Sequence, residues 1–454
     1  MAYISSNPAT EAEHSRYELW SAQEIESNLC KVDATYQSWS GLSFNERAKF
    51  MRKAAQVLRQ QKETLSRLIT EEMGKLISES EAEVEKSALG LEFYAEHAES
   101  FLQNEIIPSD AGESFVTYQS MGTILAIMPW NFPLWQVFRF AAPALMAGNT
   151  AILKHASNVP RCALAIENVF KEAGLPENCF RSFLVSSSQT KSLIDDPRIK
   201  AVTITGSTPA GKSVASSAGH ALKKSVLELG GSDPFVILED ADLDAAVEIA
   251  IKSRYMNCGQ SCIAAKRFIP VAGIADEFLE KFKNAVEALV PGDPMDRNTT
   301  LAPMARNDLR EELHDQVLRS LAHKAEKLTG CDIIQGTGAF YQASILNNVT
   351  RDNPAYHEEL FGPVAIVIHA KDEQDALRIA NDTEFGLGGS VWTRDIDRGR
   401  NFALQLECGS AFVNGLVKSD PRLPFGGMKT SGYGRELSRH GIQEFVNVKT
   451  IWIK

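Results

Sequence analysis

Three residues of this sequence are of types that could serve as a nucleophile, a base and a hydrogen-bond donor. Cys262 follows the glycine-containing segment 257–261, and its thiol could attack a substrate, although a single cysteine is more often a packing residue. Glu228 precedes two glycines at a predicted strand end, where it could be a general base or an exposed loop acid. Asn131 lies between two prolines in a predicted tight turn, and it could bind an oxyanion or cap the next helix. Taken singly, each residue favours the structural interpretation.

A phosphate-loop pattern offers an alternative chemistry. Residues 206–213 read Gly-Ser-Thr-Pro-Ala-Gly-Lys-Ser, and acids at 239–240 follow an apolar run as in a magnesium-holding strand, so an NTPase is one hypothesis. Pro209 weakens it, because proline removes an N–H group from a loop that holds phosphate through such groups. The remaining prediction is that Gly206 and Ser207 begin a helix whose N-terminus binds phosphate, and a dinucleotide fits this as readily as ATP.

The elements that must position these residues form two alternating α/β series. Apolar residues at helical spacing over 44–103 predict two long helices, broken near Gly74. The first series then has strands at 114–118, 123–128, 150–153, 181–185, 200–205 and 234–238, with helices at 134–147, 160–173 and 208–220. The second has strands at 266–271, 364–369, 389–393 and 410–414, with helices at 275–289, 373–381 and 396–406. Such alternation predicts doubly wound parallel sheets, and residues 445–454 predict a terminal strand that pairs with another segment or subunit.

Composition narrows the class of protein. The 454 residues are 44% hydrophobic and carry a net charge of −11, which argues against a nucleic-acid or anionic-membrane surface. Apolar runs are too short to span a membrane, and the first residues do not resemble a secretory signal. The 7 cysteines are odd in number and scattered, so we expect reduced thiols, a cytoplasmic location and no disulfide scaffold. No cysteine or histidine spacing predicts a metal site.

Considered together, the motifs resemble those of the aldehyde dehydrogenase superfamily over essentially the whole chain. The resemblance is carried by the Asn131 turn, Lys154-His155-Ala156-Ser157, Gly206-Ser207-Thr208, Glu228-Leu229-Gly230-Gly231, Gly259-Gln260-Ser261-Cys262, Glu358-Glu359-Leu360-Phe361-Gly362-Pro363 and Pro424-Phe425-Gly426-Gly427-Met428-Lys429-Thr430-Ser431-Gly432. It implies an α/β protein with the aldehyde dehydrogenase fold and three parts. These are a Rossmann-like doubly wound cofactor domain (1–105 and 122–228), an α/β catalytic domain (229–436), and a bridging segment with a β-hairpin oligomerisation arm (106–121 and 437–454).

The same resemblance implies roles for the reactive residues. Cys262 would form a thiohemiacetal with an aldehyde, since hydride leaves only from a tetrahedral adduct. The Asn131 amide and the Cys262 backbone N–H would hold the oxyanion, and Glu228 would activate the water that hydrolyses the thioester. Glu359 resembles the family's ligand for the nicotinamide ribose, and Phe361 its packing partner for the nicotinamide. The other residues implied to bind the cofactor are Trp130, Lys154, Ser157, Gly206, Ser207 and Leu229.

The cofactor is predicted to be NADP⁺, with NAD⁺ used at lower efficiency. Lys154 ends a predicted buried strand, and in the family this lysine approaches the adenosine ribose. The motif often ends in Glu, which suits the free 2′-hydroxyl of NAD⁺, whereas this chain has Ser157. A hydroxyl can donate to a 2′-phosphate that a carboxylate would repel.

The predicted substrate is a small aldehyde that carries a carboxylate. Trp135 and Arg139 are four residues apart on one predicted helix face, and the sequence resembles succinate-semialdehyde dehydrogenases in having an arginine at this step after the Asn131 turn. Arg139 could bind the substrate carboxylate, or it could pair with an internal acid. Many members of that group have a second arginine where this chain has Met256, and Ser419 could compensate.

Arg422 is a weaker candidate for the same compensation. Glutarate semialdehyde remains an alternative substrate. The hairpin near 106–121 and the terminal strand imply a homo-oligomer by strand pairing, with a dimer favoured.

Overall fold

The computed structural model describes residues 2–454 as an α/β structure with four sheets. Its strands are β1 (Ala2–Ser6), β2 (Glu13–Glu18), β3 (Glu105–Ile106), β4 (Glu113–Ser120), β5 (Thr123–Met128), β6 (Thr150–His155), β7 (Phe180–Ser182), β8 (Ile199–Thr205), β9 (Lys224–Glu228), β10 (Asp233–Ile237), β11 (Ala265–Pro270), β12 (Glu326–Thr329), β13 (Ser344–Asn347), β14 (Val364–Val367), β15 (Gly388–Trp392), β16 (Ser410–Val413), β17 (Gly432–Tyr433) and β18 (Val446–Ile453). Its helices are α1 (Ala22–Ser40), α2 (Phe44–Gln60), α3 (Lys62–Met73), α4 (Ile77–Phe101), α5 (Trp135–Met146), α6 (Pro160–Glu172), α7 (Ser187–Asp195), α8 (Thr208–His220), α9 (Leu243–Tyr255), α10 (Ala275–Glu287), α11 (Asn307–Ala322), α12 (Pro354–His357), α13 (Glu373–Asn381), α14 (Ile396–Ala403) and α15 (Ser438–Gln443).

The first large sheet is Rossmann-like, with strand order β17-β9-β8-β5-β6-β7. Strands β5 to β9 run parallel, and the strand order reverses at β5. In open α/β sheets, ligands bind beyond the carboxyl ends of the strands at such a reversal. The Asn131 turn follows β5, and Gly206 follows β8. Both segments therefore lie at the edge where a cofactor is expected.

The second large sheet has the order β12-β13-β14-β11-β10-β15-β16. Only its edge strand β12 runs antiparallel, and the aromatic core beside it includes Phe235, Phe268 and Phe282. The prediction that strand 234–238 belongs to the first series was wrong, because β10 lies between β11 and β15 inside this second sheet. Gly231 separates the two sheets at a close approach, where a Cβ atom would lie 2.6 Å from the Cys262 carbonyl oxygen.

The predicted strand at 445–454 is present as β18, and its pairing partner is another segment of the same chain. β18 pairs antiparallel with β4 from Val446 opposite Ser120 to Ile453 opposite Glu113. β3 pairs with the other side of β4, which leaves one edge of β18 free. The predicted boundaries of the three parts, at 105/106, 121/122, 228/229 and 436/437, stay a prediction. Strand β17 does not follow these boundaries. By sequence it falls in the predicted catalytic part (229–436), yet it pairs with β9 at the edge of the first sheet.

The helical segment 44–103 contains three helices where two were predicted. Gly74 ends α3 with φ 93°, as the predicted break requires, but the chain also breaks at Gln61, between α2 and α3. Helix α4 packs along α2 and α5. Within residues 2–454, no helix is both long enough and apolar enough to cross a membrane.

Candidate active site

The segment before Cys262 has an unusual backbone conformation. Asn257, Cys258 and Gly259 have φ values of 55°, 54° and 70°, so three successive residues occupy the left-handed region. Each non-glycine residue in this region costs roughly 1–2 kcal/mol. Gly259 is required there for a second reason, because a Cβ atom would lie 2.3 Å from the Gly362 carbonyl oxygen. The surrounding packing therefore holds this turn, and with it the position of Cys262.

Lys266 connects the Cys262 loop with the segment that contains Glu359. Its ammonium donates to the carbonyl oxygens of Ser261 at 2.8 Å and Cys262 at 2.9 Å, and it lies 3.1 Å from a Glu359 carboxylate oxygen. The sequence analysis missed Lys266. The available signal was a lysine inside a predicted buried strand, since a lysine there needs polar partners.

Glu359 and Phe361 lie next to other predicted cofactor residues. The Gly231 N–H donates to the Glu359 carboxylate at 3.2 Å, and the rings of Phe361 and Trp130 meet edge to face at 5.8 Å. The fully buried Arg254 anchors this segment through the carbonyl groups of residues 360 and 364. The structure therefore brings together two motifs that are far apart in sequence.

Asn131 contacts the Cys262 loop through two hydrogen bonds. Its side-chain amide donates to the Gln260 carbonyl oxygen at 3.0 Å, and its backbone carbonyl accepts from the Asn257 side chain at 2.9 Å. The alternative that Asn131 caps the next helix was wrong. The Glu83 carboxylate does so instead, by accepting from the N–H groups of Leu134 and Trp135 at 2.8 and 3.0 Å.

Glu228 is a buried acid at the end of β9. It is 2% exposed, and neither carboxyl oxygen has a hydrogen-bond partner in the part of the chain that the structure describes. Burial and the nearby Glu436 carboxyl raise the pKa of Glu228 well above its usual range, against the opposing effect of Arg139. The alternative of an exposed loop acid was therefore wrong, and Glu228 lies in a charged cluster that includes Glu436, Arg139 and Arg435.

A cavity of about 740 Å³ opens beside these groups. Its wall includes Cys262 together with Arg139, Trp135 and Ser419, so the predicted nucleophile and the predicted substrate residues share one space. The alternative of a wholly buried packing cysteine does not hold for Cys262, which is partly exposed. Met256 also lines the cavity.

Arg139 has the internal acid that the sequence analysis considered. Its Nε atom forms an ion pair with Glu436, and its guanidinium lies 4.7 Å from the centre of the Phe425 ring. Only a long contact of 3.4 Å joins Nη2 to the Thr205 hydroxyl. Arg139 is thus paired on one side while it faces the cavity. Arg422 is largely exposed, pairs with Asp420 and is absent from the cavity wall.

The predicted residues for the adenosine and phosphate groups lie along the edge of the first sheet. Ser207 is the N-cap of α8, and its side chain makes no capping hydrogen bond. Leu229 packs so closely on α8 that a Cβ atom at Gly211 would lie 2.4 Å from its methyl groups. Lys154 is the penultimate residue of β6, burial lowers its pKa, and no described carboxylate lies within ion-pair distance of its ammonium. Ser157 is exposed just beyond it. An uncapped helix N-terminus and an unpaired lysine fit a phosphorylated dinucleotide.

The NTPase hypothesis was wrong. Residues 206–213 follow β8 in the first sheet, whereas the acids at 239–240 follow β10 in the second sheet. A magnesium-holding strand must lie beside the phosphate loop. Asp240 is instead bound by the Thr393 hydroxyl at 2.8 Å and by Arg398 at 3.3 Å.

Known proteins share this arrangement over the full chain. The profile of the aldehyde dehydrogenase family matches residues 2–451. A Synechocystis sp. protein named as a probable NADP(+)-type succinate-semialdehyde dehydrogenase is 48% identical over 100% of both chains. The NAD(P)+-type succinate semialdehyde dehydrogenase Sad of Escherichia coli is 47% identical over 99% of this chain and 97% of its own. The structure of a Streptococcus pyogenes succinic semialdehyde dehydrogenase in complex with NADP+ superimposes with a TM-score of 0.98, at 37% identity and 100% coverage of both chains.

The protein therefore belongs to the aldehyde dehydrogenase family. The predicted fold class is confirmed, since the neighbouring structures cover the whole chain with the same architecture.

The reactivity of Cys262 should depend steeply on pH in the cofactor-free protein. Burial raises the pKa of its thiol to about 12, and Lys266 and Arg139 oppose this increase only in part. Because the thiolate is the reactive form, the rate of inactivation by iodoacetamide should rise about tenfold per pH unit between pH 7 and 10. Cys30→Ser, which removes an exposed thiol, should leave this profile unchanged. A plateau below pH 9 would contradict the prediction.

Proposed function

We propose that this aldehyde dehydrogenase oxidises succinate semialdehyde to succinate, with NADP⁺ as its preferred cofactor. The observation that carries the proposal is a guanidinium group, that of Arg139, in the wall of the cavity that Cys262 also lines. A substrate with an aldehyde at one end and a carboxylate at the other can contact both groups. The names of the relatives from Synechocystis sp. and Escherichia coli support this choice.

In the proposed reaction, the Cys262 thiolate adds to the aldehyde carbon to give a thiohemiacetal. The Cys262 backbone N–H and the second amide N–H of Asn131 donate to the oxyanion, and one such donor contributes roughly 3 kcal/mol to transition-state stabilisation. NADP⁺ bound along the first sheet would supply the hydride acceptor. Loss of hydride from the adduct leaves a thioester on Cys262.

Hydrolysis of the thioester requires a base for water, and we assign this role to Glu228. Arg139 forms an ion pair with Glu436, and Arg139 and Arg435 both act to lower the pKa of Glu228. Burial raises the pKa of both acids, and the Glu436 carboxyl raises that of Glu228 further. In its ionised form, the Glu228 carboxylate accepts a proton from water as the water attacks the thioester carbon. The C–S bond then breaks, succinate leaves, Cys262 is regenerated as the thiolate, and Glu228 releases its proton to solvent.

Arg139 remains able to bind a substrate carboxylate although it is paired. A guanidinium carries five N–H donors, and the contact with Glu436 uses the Nε side. The Nη groups on the other side make only the long contact with Thr205. We propose that Ser419 and Trp135 bind the same carboxylate, since both side chains line the cavity.

A substrate panel with an arginine variant tests this function. Arg139→Gln should lower kcat/KM for succinate semialdehyde by about tenfold or more, because a charge-assisted hydrogen bond to the carboxylate is lost. The value for butanal, which has the same number of carbons and no charge, should change much less. Arg394→Gln, at an exposed arginine, serves as the control. Equal losses of kcat/KM for both aldehydes would mean that Arg139 acts only through Glu436. If the wild-type protein prefers glutarate semialdehyde, that aldehyde replaces succinate semialdehyde as the proposed substrate.

The cofactor preference rests on Lys154 and Ser157. We propose that both bind the 2′-phosphate of NADP⁺, Lys154 by charge and Ser157 as a hydroxyl donor. Ser157→Glu should shift the ratio of kcat/KM for NADP⁺ over NAD⁺ by at least about tenfold toward NAD⁺, because the new carboxylate repels the phosphate and can accept from the free 2′-hydroxyl. Ser187→Glu, at an exposed serine of α7, is the matched control. An unchanged ratio in Ser157→Glu would remove this basis for the NADP⁺ preference.

We propose that the chain forms a homodimer through the β3-β4-β18 sheet. The sheet has a free edge at β18, and it exposes Val448, Trp452 and Ile453 by 59%, 52% and 47%. An unpaired edge with apolar side chains is a surface that a second strand can cover. Sedimentation equilibrium should give twice the chain mass of 49.9 kDa, and Trp452→Glu should shift it toward one chain. Leu404→Glu, at an exposed leucine outside this sheet, should leave the mass unchanged. A wild-type monomer would refute the dimer.

We also propose a cytoplasmic location. All seven cysteines are free in the structure, which suits a reducing compartment. Recovery of the native protein mainly in a membrane or extracellular fraction would contradict it.

A further inference from the structure

Lys86, on α4, is a cation in the cavity wall that the sequence analysis did not select. Its ammonium lies 2.8 Å from the Ser419 hydroxyl oxygen and 4.5 Å from the centre of the Trp135 ring. In the described part of the chain, no carboxylate lies within ion-pair distance of this ammonium. Lys86 therefore contacts both residues that were predicted to bind the substrate together with Arg139.

The Ser419 hydroxyl is arranged to donate to an anion. Its oxygen accepts from the Lys86 ammonium at 2.8 Å and from the Trp135 indole N–H at 3.1 Å. Ammonium and indole N–H groups can only donate, so the hydroxyl hydrogen is left without an acceptor among these neighbours. Ser419 is 7% exposed. A carboxylate oxygen in the cavity could accept this hydrogen together with one from Lys86.

The other charges on the same face of α4 already have partners. Glu83 pairs with Lys75 at 2.5 Å and also binds the N-terminus of α5. Glu79 accepts from the Asn257 N–H at 2.9 Å. Lys86, one turn beyond Glu83, has a neutral hydroxyl and an aromatic ring as its contacts, and burial opposes its charge. A half-buried cation that lacks a carboxylate partner can receive one from a ligand.

We propose that Lys86 is a specificity-determining residue that binds the carboxylate of the aldehyde substrate, with Ser419 donating to the same group and Arg139 supplying a second cation. This inference rests on the proposed function, because it assumes a substrate with a carboxylate. It also accounts for Met256, which lines the cavity where a second arginine was expected. A lysine from α4 supplies the positive charge that the methionine lacks.

Kinetics with a matched set of variants tests the inference. Lys86→Met removes the charge and keeps much of the stem that covers Trp135. It should raise KM for succinate semialdehyde about tenfold or more and weaken inhibition by succinate by a similar factor. The kcat value and the KM for butanal should stay within about twofold, and Lys86→Arg should recover most of the lost affinity. Lys418→Met, at an exposed lysine that lines the same cavity, measures what the loss of one positive charge from this wall does by itself.

Each remaining outcome decides a different point. If wild-type protein does not prefer succinate semialdehyde to butanal, the proposed substrate is wrong whatever Lys86 does. If wild-type protein has the preference but Lys86→Met raises both KM values equally, Lys86 is structural and the inference fails. An equal effect of Lys418→Met would assign the preference to general positive charge. A lower Tm for Lys86→Met without recovery by Lys86→Arg would also overturn the inference.

The pH dependence gives a readout that a structural role would not change. Burial and Arg139 lower the pKa of Lys86 to about 8; Lys418 acts in the same direction, while Glu83 and Asp420 oppose it. Because Lys86 loses its charge above that pH, KM for succinate semialdehyde should rise as pH increases from 7 to 9, and KM for butanal should rise less. Arginine stays charged in this range, so Lys86→Arg should flatten the difference. An unchanged difference would contradict the inference.

Discussion

A single ammonium group, that of Lys266, joins the Cys262 loop to the segment that contains Glu359. It bonds to two carbonyl groups of the Cys262 loop and to the Glu359 carboxylate at the same time. Because a buried lysine without these partners would be costly, the two loops cannot separate without exposing or stranding its charge. Electrostatic contacts thus hold the Cys262 loop against the Glu359 segment in addition to apolar packing.

Burial also explains why the site needs its cations. The Cys262 thiol and the Glu228 carboxyl both lie where charge is disfavoured, and nearby positive charge opposes this effect in each case. The same cations make the cavity favourable for an anionic substrate. The positive charges that would bind the substrate are therefore the same ones that favour the ionised forms of Cys262 and Glu228. A change at Arg139 should affect both substrate binding and the reactivity of these groups.

The sequence predicted the fold because alternating elements leave local patterns, and it selected the candidate reactive residues from short motifs, whose roles stay a prediction. Alternating strands and helices are visible in hydrophobic spacing, and the glycine-rich motifs mark where the backbone must approach a neighbour, as at Gly259 and Gly231. The break at Gln61 was missed because no glycine or proline marks it. The contacts of Lys266 with Glu359 and of Lys86 with Ser419 were also missed. They join residues 93 and 333 positions apart, and no periodicity encodes a partner at such separations.

Because β17 lies far along the chain from the other strands of the first sheet, this sheet stays incomplete until late in synthesis. On the ribosome, residues 2–228 emerge first, with β9 as an unpaired edge, and their neighbour β17 follows about two hundred residues later. The hydrophobic core of this part also includes Leu437, Ile442 and Phe445. The buried Tyr94 hydroxyl donates to the carbonyl oxygen of Ser438. A nascent chain that stalls before residue 432 thus presents an open sheet edge and an incomplete core, which are the features that chaperones bind. Residues 432–446 therefore complete a sheet and a core whose other parts are made about two hundred residues earlier.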